Sequence, residues 1–147
     1  MQGAQVVQQI PMGTPPTPHR GVESNVAAFV LRPTVTASVG NVQGSGANPR
    51  SATITLDFTP QVGRAQRVVL LLNEFQPPPD RPARAYSFVA PSRNQPAAPE
   101  TAASIAIPVQ GVMAGRYLVR AQVDGAESPL VVNAATGQYE TPQVNIP

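Results

Sequence analysis

Histidine, the side chain best suited to moving protons near neutral pH, occurs once, as His19. It stands in the polyproline-like stretch PPTPHRG, which holds no carboxylate, and reads as a solvent-exposed loop residue rather than a metal ligand or general base. Asp124, Glu127 and Asn133 could supply oxygen ligands for calcium at a loop end. Their spacing matches no calcium loop, and Asp124 is already accounted for by the turn it opens. Ser92, Ser104 and Ser128 lack the Gly-x-Ser-x-Gly setting of an activated serine, and one histidine with no cysteine leaves almost no way to build a nucleophile–base pair. Asp57 and Asp80 would be the carboxylate pair of a glycoside hydrolase, but Asp57 is an outward strand residue and Asp80 sits in the stiff QPPPDRP segment. The residues therefore predict no catalytic, cofactor-binding or metal site, no cofactor, and no enzyme.

Two weaker patterns concern binding. FQPPPDRPAR contains a Pro-x-x-Pro motif, which can dock in an aromatic groove but reads more simply as a stiff loop. Sugar-binding sandwiches present aromatic platforms. Here Phe75 and Tyr139 are the aromatic residues not clearly assigned to an inward position.

The elements that carry these residues are strands. Eighteen prolines and eleven glycines in 147 residues leave no long window of helical period. From Tyr117 to Val123 every second residue is apolar, Gly115 lets the chain turn into the run, and Asp124-Gly125 is a strong hairpin signal before a second apolar run, Leu130 to Val132. Ala52, Ile54, Leu56 and Phe58 alternate with Ser51, Thr53, Thr55 and Asp57. Val35, Ala37 and Val39 form a similar run, and Ala85 to Val89, Ile105 to Val109 and Gln143 to Ile146 add further strands. Val68 to Leu72 is apolar on both faces and reads as a central strand. TPQVG, from Thr59 to Gly63, reads as a turn. Ile54, Leu56, Phe58, Leu70, Ile105, Ile107, Tyr117, Val119 and Val123 are the expected core.

Seven or eight short strands at regular spacing predict an all-β chain, an immunoglobulin-like antiparallel β-sandwich over 32–147, with Tyr117 placed where a tyrosine corner would lie. Residues 1–31 hold two strand-like pieces, Ala4 to Ile10 and Asn25 to Leu31, around the loop PMGTPPTPHRGVE. They are expected to be a β-hairpin remnant of a preceding sandwich. With Val6, Val7, Ile10, Val26, Phe29 and Val30 it needs a partner, either the main sandwich or another copy.

Composition narrows the function classes. No cysteine means no disulfide framework and no thiolate site. All ten basic residues are arginine, dispersed along the chain, and the net charge is +2. Nucleic-acid binding would want a basic stripe with stacking aromatics, so no nucleic-acid partner is expected. MQGAQVVQQIPMG has neither the basic nor the apolar region of a signal peptide, and the longest strongly apolar run, Val68 to Leu72, is too short to span a bilayer. Neither secretion nor membrane insertion is expected.

Four stretches together carry a family resemblance: VVQQIPMGTPPTPHRGVESNVAAFVLRPTV, TPQVGRAQRVVLLLNE, VQGVMAGRYLVRAQVDGAESPL and the ending GQYETPQVNIP. They resemble the C-terminal immunoglobulin-like region of the cap, or tail-terminator, proteins of phage-tail-like extracellular contractile injection systems. The resemblance implies a non-enzymatic structural or interaction module, cytoplasmic as part of an assembled injection particle. It implies protein partners, either other particle components or copies of itself, with homo-oligomerisation through an N-terminal assembly domain that this chain lacks. An adhesion or carbohydrate-binding domain of a larger bacterial protein is the alternative.

Overall fold

A computed structural model describes residues 2–147 as fourteen strands and no helix. The chain divides into two compact units, one ending at Leu31 and one running from Arg32 to Pro147.

The second unit is an antiparallel β-sandwich. One sheet has the order β5 (Thr34–Gln43), β6 (Arg50–Gly63), β9 (Thr101–Val112). The other places β7 (Val68–Glu74) between β8 (Ala85–Val89) and β10 (Gly115–Val123). The far edge of β10 is shared by β11 (Ala126–Glu127) and β14 (Gln143–Ile146). Alternation dictates this arrangement. On β6 the threonines point outward, where β-branched side chains favour a pleated surface, while Ala52, Ile54, Leu56 and Phe58 are buried. They meet Leu70, Leu72, Tyr117, Val119, Val144 and Ile146 from the opposite sheet in one apolar cluster. All nine expected core residues are buried.

Tyr117 is wholly buried, and its hydroxyl donates to the Met113 carbonyl at 2.6 Å, the bond of a tyrosine corner. Gly115, at φ 154°, leaves the backbone bare where the tyrosine ring lies against it; a Cβ there would sit 3.7 Å from the ring. The Met113 amide in turn donates to the Tyr86 hydroxyl at 3.2 Å, so two tyrosines fix the β9–β10 connection.

Asp124 and Gly125 both have positive φ, 49° and 87°, and form a two-residue turn between Val123 and Ala126. The return strand is not the expected Leu130–Val132. The chain pairs with β10 through Ala126, Glu127 and Ser128, then leaves at Pro129, which has no N–H to continue the ladder. It forms a small excursion in which β12 (Val131–Val132) pairs with β13 (Tyr139–Thr141), and it comes back to the same edge as β14. TPQVG is not a turn either. β6 runs through it to Gly63, and the register against β9 shifts between Asp57 and Val62. A proline in a central strand cannot donate to the ladder, so Pro60 sits in a bulge.

The first unit is a ribbon of two nested strand pairs. β1 (Gln2–Ala4) pairs with β4 (Ala27–Phe29), and inside it β2 (Val7–Met12) pairs with β3 (Thr17–Glu23). The stretch expected to be a long loop is therefore mostly strand, with its turn at residues 13–16. Pro11 stands opposite Pro18. Neither has a donor, so the pair occupies a ladder position that asks for none.

Candidate functional site

The sandwich's strongest charge perturbation is at the end of β7. The Glu74 carboxylate is nearly enclosed and accepts from both terminal nitrogens of Arg81 and, at 2.9 Å, from the Arg84 backbone amide. The Arg81 bonds hold its pKa down to about 2, against the opposing pull of burial. The same pairing raises Arg81. A shifted acid of this kind often marks catalysis. Here both oxygens are consumed in tying the Pro-rich segment FQPPPDRPAR to the sheet, so the shift reflects a structural knot. Burial, followed by the neighbouring Tyr86, pushes Tyr117 up to about 12.

The residues singled out in the sequence do not converge. His19 is exposed as expected but lies on strand β3, beside Thr17. The Asp124 carboxylate accepts from the Arg67 amide at 2.9 Å and from the Gln66 side chain at 3.1 Å, fastening the β10–β11 turn to the start of β7. Glu127 pairs with Arg120, and Asn133 bonds Glu140 and the Ala135 amide. The three candidate calcium ligands are thus each engaged elsewhere. Ser128 is buried, and its hydroxyl accepts from the Ala121 amide at 2.9 Å. Ser92 and Ser104 are exposed, Asp57 projects from β6 opposite Ser104, and Asp80 is exposed in its loop.

Besides a depression of about 380 Å³ lined by Arg67, Val69, Gln122, Asp124 and Gly125, two surface depressions draw together residues from distant segments. In the first, the fold brings together the two aromatics that the sequence left outside the core. Phe75 and Tyr139 line a shallow cleft of about 470 Å³ with Gln76, Pro77, Leu118 and Gln138. Tyr139 is 57% exposed, and the Arg116 guanidinium lies 4.8 Å from the centre of the Phe75 ring. The second, of about 320 Å³, lies where the β6–β7 turn meets the segment after β8. It is lined by Arg64, Arg67 and Arg93 together with Val68, Val89 and Ile105.

The chain belongs to the family described as a domain of unknown function (DUF8756). The family model matches residues 33–145, from the residue before β5 into β14, and so covers the sandwich and leaves the ribbon outside. No curated protein and no solved structure matches the chain. The DUF8756 sandwich joins the arginine cleft and the Phe75–Tyr139 cleft from segments far apart in sequence. Arg64 and Arg67 belong to one connection and Arg93 to another; Phe75 follows β7, while Tyr139 belongs to β13. The sequence signal for either was only the presence of the residues, with nothing to say that they meet.

Proposed function

We propose that the chain is a non-enzymatic structural and interaction module, the C-terminal accessory part of a cap protein in a contractile injection particle, cytoplasmic within that assembly. The sandwich is read as immunoglobulin-like on the tyrosine corner at the start of β10 and on the three-strand sheet facing β8-β7-β10-β14. One observation carries the interaction role. The ribbon is folded into strand pairs, yet among its described residues none is buried, and Val6, Val22, Val26 and Val30 are 59–74% exposed. A two-stranded ribbon without a core is marginal in water, so its stable setting is against another protein surface. The four sequence stretches that resemble cap proteins supply the particle context.

The test is cofractionation. Epitope-tagged chain, expressed in a bacterium that assembles the particles, should sediment with them, and immunogold should mark one end of the tube. Its recovery only in the soluble fraction would sink the particle assignment.

A second reading, carbohydrate binding, has its own observation in the Phe75–Tyr139 cleft, where an exposed ring lies beside amide side chains suited to sugar hydroxyls. It expects retention on immobilised polysaccharide that Tyr139→Ala abolishes. Equal migration of both proteins through polysaccharide-containing and plain gels would remove it.

A further inference from the structure

The free edge of β8 and the arginine cleft at its end form one surface. β8 is an edge strand, bonded only to β7. The parity of that ladder follows from two bonds that flank it: the Glu74 amide donates to the Arg84 carbonyl at 2.8 Å, and the Ala90 amide donates to the Val68 carbonyl at 2.9 Å. Residues 84, 86, 88 and 90 therefore turn their backbone groups toward β7. Ala85, Ser87 and Val89 turn theirs away, along the open edge. Val89 is 56% exposed.

β8 runs straight into the cleft, whose lining continues from Val89 and Ala90 through Pro91, Ser92, Arg93 and Asn94. No carboxylate lines the cleft among the described residues. Arg67 holds Asp124 with its backbone amide, not its guanidinium. Arg64 and Arg93 reach only backbone carbonyls, at 3.3–3.5 Å: Arg64 those of Pro96 and Ala98, Arg93 those of Val62 and Pro99. Such contacts orient the guanidinium groups and leave several of their five donors unused.

We propose that β8 accepts an extended segment of a partner protein as an added strand, and that the arginine cleft takes acidic residues at the end of that segment. The backbone edge supplies affinity without sequence preference, and the three arginines, none of them in a salt bridge among the described residues, select for carboxylates. The proposal rests on the reading of the chain as an interaction module, but not on its membership of an injection particle.

The probe is a synthetic peptide, acetyl-Asp-Glu-Thr-Val-Thr-Val-Thr-Glu-Asp-amide, titrated into the full chain by calorimetry. Acids at both ends serve either strand direction. Binding is expected at submillimolar concentration, weakening with salt. Replacing the four acids by lysine should weaken it about tenfold or more. Arg67→Gln should also weaken it with little change in melting temperature, since it removes the charge, adds no carboxylate beside Asp124, and keeps the backbone amide that holds Asp124. Ser87→Pro should abolish binding while preserving the fold, because the Ser87 N–H points away from β7 and its loss costs the sheet no bond. Four results would overturn the proposal: no binding at 1 mM, roughly the limit of specific recognition; equal binding of the lysine peptide; binding that survives Ser87→Pro in the folded protein; or a chain that self-associates through β8, seen as a dimer that Ser87→Pro dissolves. None of these bears on the cofractionation test, so the two readings fail separately.

Discussion

Removing a single oxygen from Tyr117 tests whether the β9–β10 connection is held as the structure describes. The Tyr117→Phe change keeps the ring and its packing against Tyr86, whose centroid lies 5.7 Å away, and deletes only the hydroxyl bonded to Met113. A buried hydrogen bond contributes about 1 kcal/mol net, and stranding its partner costs about 1–3 kcal/mol. Met113 is half-buried, so water can partly replace the lost donor, and the expected loss is about 1–2 kcal/mol. For a domain of this size that corresponds to a fall in Tm of about 3–8 °C. Urea unfolding should show a lower midpoint with an unchanged slope. The titration of Tyr117 gives a second, independent readout. Its folded pKa of about 12 lies above the ordinary 10.0. The stability held by the neutral hydroxyl is present below pH 10 and is lost as pH rises through 12, and the phenylalanine variant should lack that decline. Tyr86→Phe, which removes a longer bond from a half-buried ring, should cost under about 1 kcal/mol. A Tyr117→Phe loss below about 0.5 kcal/mol, or a larger loss for Tyr86→Phe, would show that the corner does not anchor the connection.

Phe58→Ala, at a side chain 4% exposed in the central strand β6, should cost about 3–5 kcal/mol through lost burial and a cavity; a loss under about 1 kcal/mol in equilibrium unfolding would mean that β6 faces the other way. Glu74 has a folded pKa of about 2, below the ordinary 4.5, so its contribution is present above pH 4.5 and disappears as pH falls through 2. Acid titration of stability should show that decline, and Glu74→Gln should flatten it; an identical acid limb in both proteins would detach the ion pair from stability. A chain beginning at Arg32 should still unfold cooperatively, since the sandwich has its own core, but should associate less in light scattering because Val6, Val22, Val26 and Val30 are gone. Unchanged association, together with free hydrogen exchange of residues 1–31 in the full chain, would remove the ribbon from any interface.

Much of the sandwich was legible because its signals are local. The alternation on β6 and β10 is uninterrupted, and Asp-Gly needs only its two residues to specify a turn with positive φ at both positions. The errors cluster at prolines, where a local rule says "break" and the tertiary setting decides otherwise. Pro11 and Pro18 face each other in a two-stranded ribbon and cost it no bond; Pro60 is absorbed in a bulge; Pro129 ends the return strand just before the apolar run Leu130 to Val132 that was expected to form it. The clefts were illegible for a different reason. Arg64 and Arg93 lie on connections that only the folding of β7 against β8 brings together.

Arg50 shows where a local rule should have been followed one step further. Residue type places an arginine outside. Yet the alternation Phe58, Leu56, Ile54, Ala52 reaches Arg50 next, and the side chain is indeed buried, 5% exposed. No Asp or Glu side chain pairs with its charge among the described residues. Its guanidinium donates to the main-chain oxygens of Pro147 at 2.7 Å, Gly46 at 3.1 Å and Asn48. These oxygens belong to the β5–β6 loop and to the residue after β14, from two different sheets. A buried cation is costly unless its donors are met, and these oxygens accept no ladder bond of their own. One side chain therefore closes the end of the sandwich where neither sheet does. An arginine found in phase with an inward apolar run is, on this logic, a sign that loose carbonyls lie at that end of the fold.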